Sequence, residues 1–250
     1  MDVLGIDVGG SGIKGALVDL ETGELASERV RIETPATFEI EPVTETIVEL
    51  IDTFKHKGPV GIGFPAAVAQ GIVLTPPTAY EVAGWIGECL NTRLSTAAGC
   101  DVTVLNDADA AGLAEMHFGA GRDVNGVVIT VTLGTGVGAG LFMDGKLVPN
   151  LELGKIFLAN HTEVVELYMA GRIKKEQGLT WQEYSDRLHE FLLHVEHVFS
   201  PQLIILGGGV SKKHEKFLTA DQLARTQLKP AELRNQAGII GAAAWAAEFQ

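Results

Sequence analysis

The sequence predicts an α/β protein built from two similar units. An apolar run that ends in a glycine turn and returns as a second extended run occurs at residue 3 and again near residue 127. Patterns of helical period follow each occurrence. Glycine supplies 30 of the 250 residues, against a usual share of about 7%. The glycines cluster instead of recurring every third residue, which excludes a collagen and implies tight loops that a phosphate can approach.

Residues 3–7 are a buried strand that Gly9-Gly10-Ser11-Gly12 ends. Residues 13–20 return as a second strand, Glu21-Thr22-Gly23-Glu24 turns, and residues 25–32 form a third, giving an antiparallel meander. A helix over 42–55 places Val43, Ile47, Leu50, Ile51 and Phe54 on one face and ends at Lys55-His56-Lys57-Gly58-Pro59. Residues 60–64 and 71–75 are extended. Residues 102–105 form a strand that delivers Asn106-Asp107 into a helix over 108–118.

The opening pattern then recurs. Residues 126–133 are a strand, Gly134-Thr135-Gly136-Val137-Gly138 a glycine turn, and 139–143 the returning strand. Asp144-Gly145 is a hairpin signal before a further extension over 146–148. Thr180 and Glu183 form a capping box for a helix over 180–199. Residues 203–206 are a strand running into Gly207-Gly208-Gly209, and an Ala-rich helix starts near Gly238.

Charge and cysteine content exclude several classes. A net charge of −13 argues against a general nucleic-acid or anionic-membrane surface. A polyanionic substrate would need a local basic patch. Cys89 and Cys100 cannot make a disulfide framework or a four-thiolate zinc site. The opening residues lack the pattern of a signal peptide, and no run approaches the ~18 apolar residues of a membrane span. The expected location is the cytoplasm.

Gly10-Ser11-Gly12-Ile13-Lys14-Gly15 fits G-x-G-x-x-G, but that dinucleotide signature needs a helix after its glycines, and a strand follows here. No G-x-x-x-x-G-K-S/T is present. The better reading is a β-hairpin turn whose backbone N–H groups face a phosphate, with Leu133-Gly134-Thr135-Gly136-Val137-Gly138 as a second of the same form. Asp7, just before the first loop, suits Mg²⁺ held through water, because a hard cation prefers carboxylate oxygen. Asn106-Asp107 reads either as a helix N-cap or as a site carboxylate, and both roles are compatible. Asp109 reads as a first-turn helix acid. His189, His194 and His197 read as helix residues outside any metal set, because His189-Glu190 to His194 is one residue too long for H-E-x-x-H. Lys212, Lys213 and Lys216 supply the basic patch, read either as a solvated helix start or as a polyphosphate track.

Four of these segments resemble the ROK family (repressors, ORFs, kinases) of actin-like sugar kinases. Residues 5–15 look like its first phosphate motif, 106–115 its catalytic segment, 133–138 its second phosphate loop and 207–211 its adenosine-side loop. Residues 207–213 with Lys216-Phe217, Pro230-Ala231-Glu232-Leu233 and Gly238 to Ala242 resemble its polyphosphate-using glucokinase subgroup.

The resemblance implies a duplicated, ribonuclease H-like two-lobe fold. The small lobe would be 1–106 with 238–250, and the large lobe 107–237. It implies phosphorylation of a hexose, with Mg²⁺ and with polyphosphate or ATP as donor, in a cleft whose closure excludes water. Asp107 would be the general base. Asn106, Glu152 and Lys155 would meet the sugar, with Gly63 and Pro65 shaping the pocket wall. Asp7, Gly9, Gly10, Ser11, Gly12, Lys14, Gly134, Thr135, Gly136, Gly208, Gly209, Lys212, Lys213 and Lys216 would hold phosphate or nucleotide, and Asp7 the metal.

Two positions depart from the family pattern. Lys155 stands where the family has a histidine, and a lysine cannot accept a hydrogen bond from a hydroxyl. Tyr80 lies in a stretch where the subgroup carries an asparagine sugar ligand. The acceptor sugar therefore stays open, and a non-catalytic or regulatory sugar-binding protein is the other reading. The cysteine-rich structural zinc motif of many members is absent. A repressor would carry an added helix-turn-helix, which is not expected here, and a homodimer is implied by the resemblance alone.

Overall fold

The structure, a computed structural model, describes residues 2–78, 82–218 and 223–248. The chain divides into two compact units, residues 1–114 with 236–250, and residues 115–235.

The first unit runs β1 (Asp2–Gly9), β2 (Gly12–Asp19), β3 (Glu24–Leu25), β4 (Val30–Ile32), α1 (Ile40–Phe54), β5 (Val60–Phe64), β6 (Val68–Ala69), β7 (Ile72–Val73), α2 (Leu90–Ala98) and β8 (Val102–Asn106) into α3 (Asp107–Phe118). Its main sheet has the order β3-β2-β1-β5-β8, with β4 also on β2. Val3, Leu4, Ile6 and Val8 are all fully buried, so β1 has no solvent face and needs cover on both sides. The apolar stripe of α1, Val43, Ile47, Leu50 and Ile51, joins that core. Lys55 ends α1 in the left-handed region, its N–H bonded to the Asp52 carbonyl.

The second unit runs β9 (Val127–Leu133), β10 (Val137–Met143), β11 (Lys146–Val148), α4 (Val165–Met169), α5 (Gly171–Glu176), α6 (Trp181–Phe199), β12 (Leu203–Gly207) and β13 (Gln227–Pro230), with short 3₁₀ turns at Leu153–Lys155 and Val210–Lys216. Its sheet order is β11-β10-β9-β12-β13, the order of the first unit repeated. In both sheets a hairpin is followed by two parallel neighbours. The predicted structural repeat is therefore real at the level of topology. α6 carries its predicted capping box, and Leu188, Leu192 and Val195 are fully buried in the second core. The chain returns to the first unit in α7 (Ala237–Ala247).

The structure corrects the sequence reading at several places, and the strand read over 139–143 already begins at Val137. The third extended run, 25–32, is two strands instead of one. Ser27 Oγ accepts the Leu17 N–H at 3.0 Å, so a side chain replaces a ladder bond and interrupts the pairing. Residues 71–75 are extended only at β7, which forms a small hairpin with β6. The lysines after Gly209 lie on a 3₁₀ segment kinked at Lys213.

Candidate active site

In the first unit the strand ends and the glycine turn carry the candidate groups. Gly9 pairs directly with Gly12, leaving Gly10-Ser11 as a two-residue turn. Arg31 donates to the Ser11 carbonyl, and Thr34 Oγ1 donates to the Gly9 carbonyl at 2.5 Å. Two carbonyls that would repel an anion are thus already engaged. Asp7 lies opposite Lys14 across the hairpin, and Lys14 Nζ is 3.4 Å from its carboxylate. Burial pushes the Asp7 carboxyl above the usual carboxylate range, with Lys14 opposing the shift. A Cβ on Gly238, at the start of α7, would stand 3.1 Å from Asp7 Oδ1.

Asp107 begins α3 where β8 ends, and its Oδ1 accepts the Ala108 N–H at 2.8 Å. Asn106 does most of the capping. Its Oδ1 accepts from Ala108 and Asp109 N–H at 2.9 and 3.1 Å, and its Nδ2 donates to the Ala66 carbonyl at 3.0 Å. The N-cap reading and the site reading thus fall on neighbouring residues: buried Asn106 fixes the turn, and half-buried Asp107 is held at its lip. Gly63 brings β5 close, for a Cβ there would be 3.5 Å from the Asp107 Cα. Pro65 accepts the Thr78 N–H at 2.7 Å, and buried Phe64 packs on Trp85, ring centroids 4.9 Å apart. Asp109 sits in the first turn as expected, but buried. Tyr80 lies outside the described residues.

The second unit holds the other loops. The Gly134 N–H donates to the Gly136 carbonyl at 3.1 Å. Arg172 braces the same loop from α5, its N–H on the Gly134 carbonyl at 3.1 Å and its Nε on the Thr135 carbonyl at 2.7 Å. Gly208 has φ +83°, and a Cβ there would press on the Leu133 backbone, so only glycine lets the two loops pack together. Ser211 Oγ donates to the Gly208 carbonyl at 2.8 Å. Lys212, Lys213 and Lys216 follow, all exposed.

Glu152 precedes the turn that carries Lys155. It opens to solvent, yet desolvation holds its carboxyl above the usual range; Lys155 counteracts this and Glu166 adds to it. Lys155 Nζ pairs with Glu166 Oε1 at 3.1 Å, and Glu166 Oε2 accepts the Val137 N–H at 3.3 Å. Glu166 was missed by sequence reasoning. It belongs to no motif, and only the folding of α4 against the second glycine loop brings it there. Lys155 therefore neutralises a carboxylate seated at a phosphate-type loop, a job a neutral imidazole would not do.

Among the described residues no three His, Cys, Asp or Glu side chains are grouped to hold a metal ion, and no helix is long and apolar enough to cross a membrane. Asp7 nonetheless fits Mg²⁺, which keeps several waters and commonly takes one or two protein carboxylates beside substrate phosphates.

Known proteins are similar to this chain in sequence and in fold. The chain is 39% identical over 240 residues to the polyphosphate glucokinase of Mycobacterium tuberculosis, covering 96% of this chain and 89% of that protein. It is 37% identical over 247 residues to that of Mycobacterium leprae, covering 96% and 72%. The crystal structure of the inorganic polyphosphate/ATP-glucomannokinase from Arthrobacter sp. strain KM superposes with a TM-score of 0.91 at 40% identity, over 100% of this chain and 99% of that one. A Streptomyces griseus ROK glucokinase in complex with glucose and AMPPNP has a TM-score of 0.81 at 24% identity, over 99% and 100%, and shares the fold. The ROK family model matches residues 3–152 and 159–248. With its duplicated actin-like sheets and glycine loops covered almost end to end by these matches, the chain belongs to the ROK family.

Proposed function

We propose that this chain transfers a phosphoryl group from polyphosphate or ATP to a hydroxyl of a hexose, glucose first. The observation that carries the reading is the junction of β8 and α3, where buried Asn106 caps the helix and so presents the Asp107 carboxylate at a fixed point. A sugar hydroxyl is a poor nucleophile, and a carboxylate there can take its proton as the phosphoryl group transfers. The Gly9–Gly12 and Gly134–Gly136 turns would let the donor's phosphates approach the main chain closely, and Lys14 adds a positive charge beside Asp7. Mg²⁺ brought in by those phosphates would supply charge neutralisation, with Asp7 oriented toward its waters. Glu152 accepts from sugar hydroxyls, Asn106 and the Gly63-Phe64-Pro65 turn shape the acceptor pocket, Gly208 and Gly209 serve the donor, and the lysines after them serve polyphosphate. The same reading takes the protein to be cytoplasmic and, as the family resemblance implies, a homodimer.

The test is hexose phosphate formation by the purified protein with Mg²⁺, on glucose and on mannose, with polyphosphate and with ATP in parallel. Turnover with at least one pairing is expected. No turnover in any of the four overturns the reading and leaves sugar binding without catalysis.

The raised Glu152 carboxyl adds a pH expectation. If its ionised form accepts the sugar hydroxyls, kcat/KM for the hexose falls on acidification, starting at a higher pH than an ordinary glutamate, pKa about 4.3, would allow. Glu152→Gln should flatten that acid limb while lowering the plateau. A limb unchanged in position would remove Glu152 from the acceptor site.

A further inference from the structure

Three lysines of the second unit gather around one indole. Lys174 Nζ is 4.3 Å from the centroid of the Trp181 ring, Lys216 Nζ 5.8 Å and Lys213 Nζ 5.9 Å. Phe217 stacks on the same ring, centroids 5.7 Å apart and planes 11° off parallel. The three lysines come from two segments, α5 and the 3₁₀ turn after Gly209, and the tryptophan opens a third, α6. Among the described residues none of the three ammonium groups has a carboxylate within salt-bridge distance. Glu183 is near enough to interact electrostatically with Lys174 without pairing with it, so in a chain of net charge −13 three ammonium groups share one ring with no direct ion pair among the described residues. The ring offsets part of their repulsion through cation–π attraction, and an anion would offset the rest.

Both lysine-bearing segments adjoin the phosphate-type loops, α5 by contact and the 3₁₀ turn by sequence. α5 places Arg172 on the Gly134-Thr135 carbonyls and, two residues on, Lys174 on the indole. The 3₁₀ turn follows Gly208, which is packed on Leu133 of the second loop. That turn, kinked at Lys213, leads the chain away from Gly209 and brings Lys213 and Lys216 to the Trp181 ring. Lysine suits a flexible chain of tetrahedral phosphates, since its ammonium is a point charge with three rotatable donors; Lys174 spends one of them on the Leu179 carbonyl at 2.6 Å.

We infer that Lys174, Lys213 and Lys216, gathered on Trp181, form a subsite for the distal phosphates of a long polyphosphate chain whose reacting end lies in the glycine loops. The inference rests on the proposed donor and adds Lys174 and Trp181, which no motif marks. It makes the protein discriminate by chain length: ATP and tripolyphosphate fill the loops alone, whereas long polyphosphate also reaches the indole.

The experiment compares KM for long-chain polyphosphate, tripolyphosphate and ATP in the parent, in Lys174→Gln/Lys213→Gln/Lys216→Gln, and in Lys174→Arg, which keeps the charge. In the triple variant the ratio of the long-chain KM to the tripolyphosphate KM should rise at least about tenfold, and the slope of log KM against log salt for the long chain should fall by about one per lysine removed. Lys174→Arg should keep the parental ratio. Equal rises for all three donors would assign the lysines to the loops, and no change would leave them as surface charge; either result overturns the subsite. Should the parent turn over ATP but no polyphosphate, the donor reading fails separately. The subsite is then judged by equilibrium dialysis with long-chain polyphosphate alone: binding by the parent that the triple variant loses supports it, and absence of binding by the parent overturns it.

Discussion

Asp107→Asn should lower kcat by about 10²–10⁴-fold, the range a positioned general base supplies, and by the same factor with polyphosphate as with ATP. Equality between donors is the informative part, because proton removal from the sugar hydroxyl is common to both reactions. The substitution is close to isosteric, and the asparagine Oδ1 can still accept the Ala108 N–H that Asp107 Oδ1 now accepts at 2.8 Å. α3 keeps its start in any case, since Asn106 caps it through the Ala108 and Asp109 amides. The thermal midpoint should therefore hold, and KM for the hexose should move only a few-fold. Asn106→Ala should behave in the opposite way. It deletes the cap and the tie to the Ala66 carbonyl, costing stability on the order of 1 kcal/mol or more, and it harms turnover only through the looser seating of Asp107. A fall in kcat of less than about tenfold for Asp107→Asn would end its assignment as the base, since general-base losses begin near 10².

The part of this site visible in the sequence is the part carried by short contiguous signals. Residues 9–12 and 134–138 read as turns because glycines interrupt strongly apolar runs; the structure closes Gly9 on Gly12 and Leu133 on Val137, so the second turn is only 134–136 and its returning strand starts at Val137. The capping box at Thr180 needed only two residues three apart. What escaped is short or tertiary in origin. α2 buries only Leu90 and Leu94, too few apolar positions to show a helical period. α4 and α5 have five and six residues, less than two turns, and owe their helicity to packing and to contacts such as Arg172 on the second glycine loop. β13, Gln227–Pro230, is an edge strand of alternating half-exposed residues ending in proline, which reads as a loop. The Lys155–Glu166 pair and the meeting of Lys174 with Lys213 and Lys216 on Trp181 join residues far apart in the chain, so no local pattern announces those contacts.

Gly61→Ala should be among the most damaging small substitutions in the protein, although it adds one methyl group to a strand. β5 is central in its sheet, between β1 and β8, and all five of its residues are buried. A Cβ on Gly61 would fall inside the Ala242 carbonyl of α7, and one on Gly5 of β1 inside the Ile239 carbonyl a turn earlier. On its other side α7 meets α3 just as closely, for a Cβ on Gly241 would strike the Ala110 carbonyl. The helix is thus clamped backbone to backbone between sheet and α3, and its alanines, Ala242 and Ala243 fully buried, keep it thin enough to fit. No rotamer change can relieve a clash with a carbonyl group; either α7 or β5 must move. Overpacking of a tight core costs typically 1–3 kcal/mol and occasionally more, and Gly61→Ala belongs at the upper end, about 3 kcal/mol. In a protein of this size that lowers the melting midpoint by roughly 6–12 °C. Gly63→Ala, two residues along the same strand, is the internal control. Its Cβ would meet Ala110 Cβ at 3.4 Å and Asp107 Cα at 3.5 Å, ordinary contact distances, so the fold should survive while the surroundings of Asp107 tighten. The two variants should therefore separate: Gly61→Ala loses midpoint, and any protein that remains folded has a raised donor KM as α7 shifts Gly238 against Asp7, whereas Gly63→Ala keeps its midpoint and changes kcat or hexose KM. Equal midpoints for the two would contradict the close approach of α7 to β5.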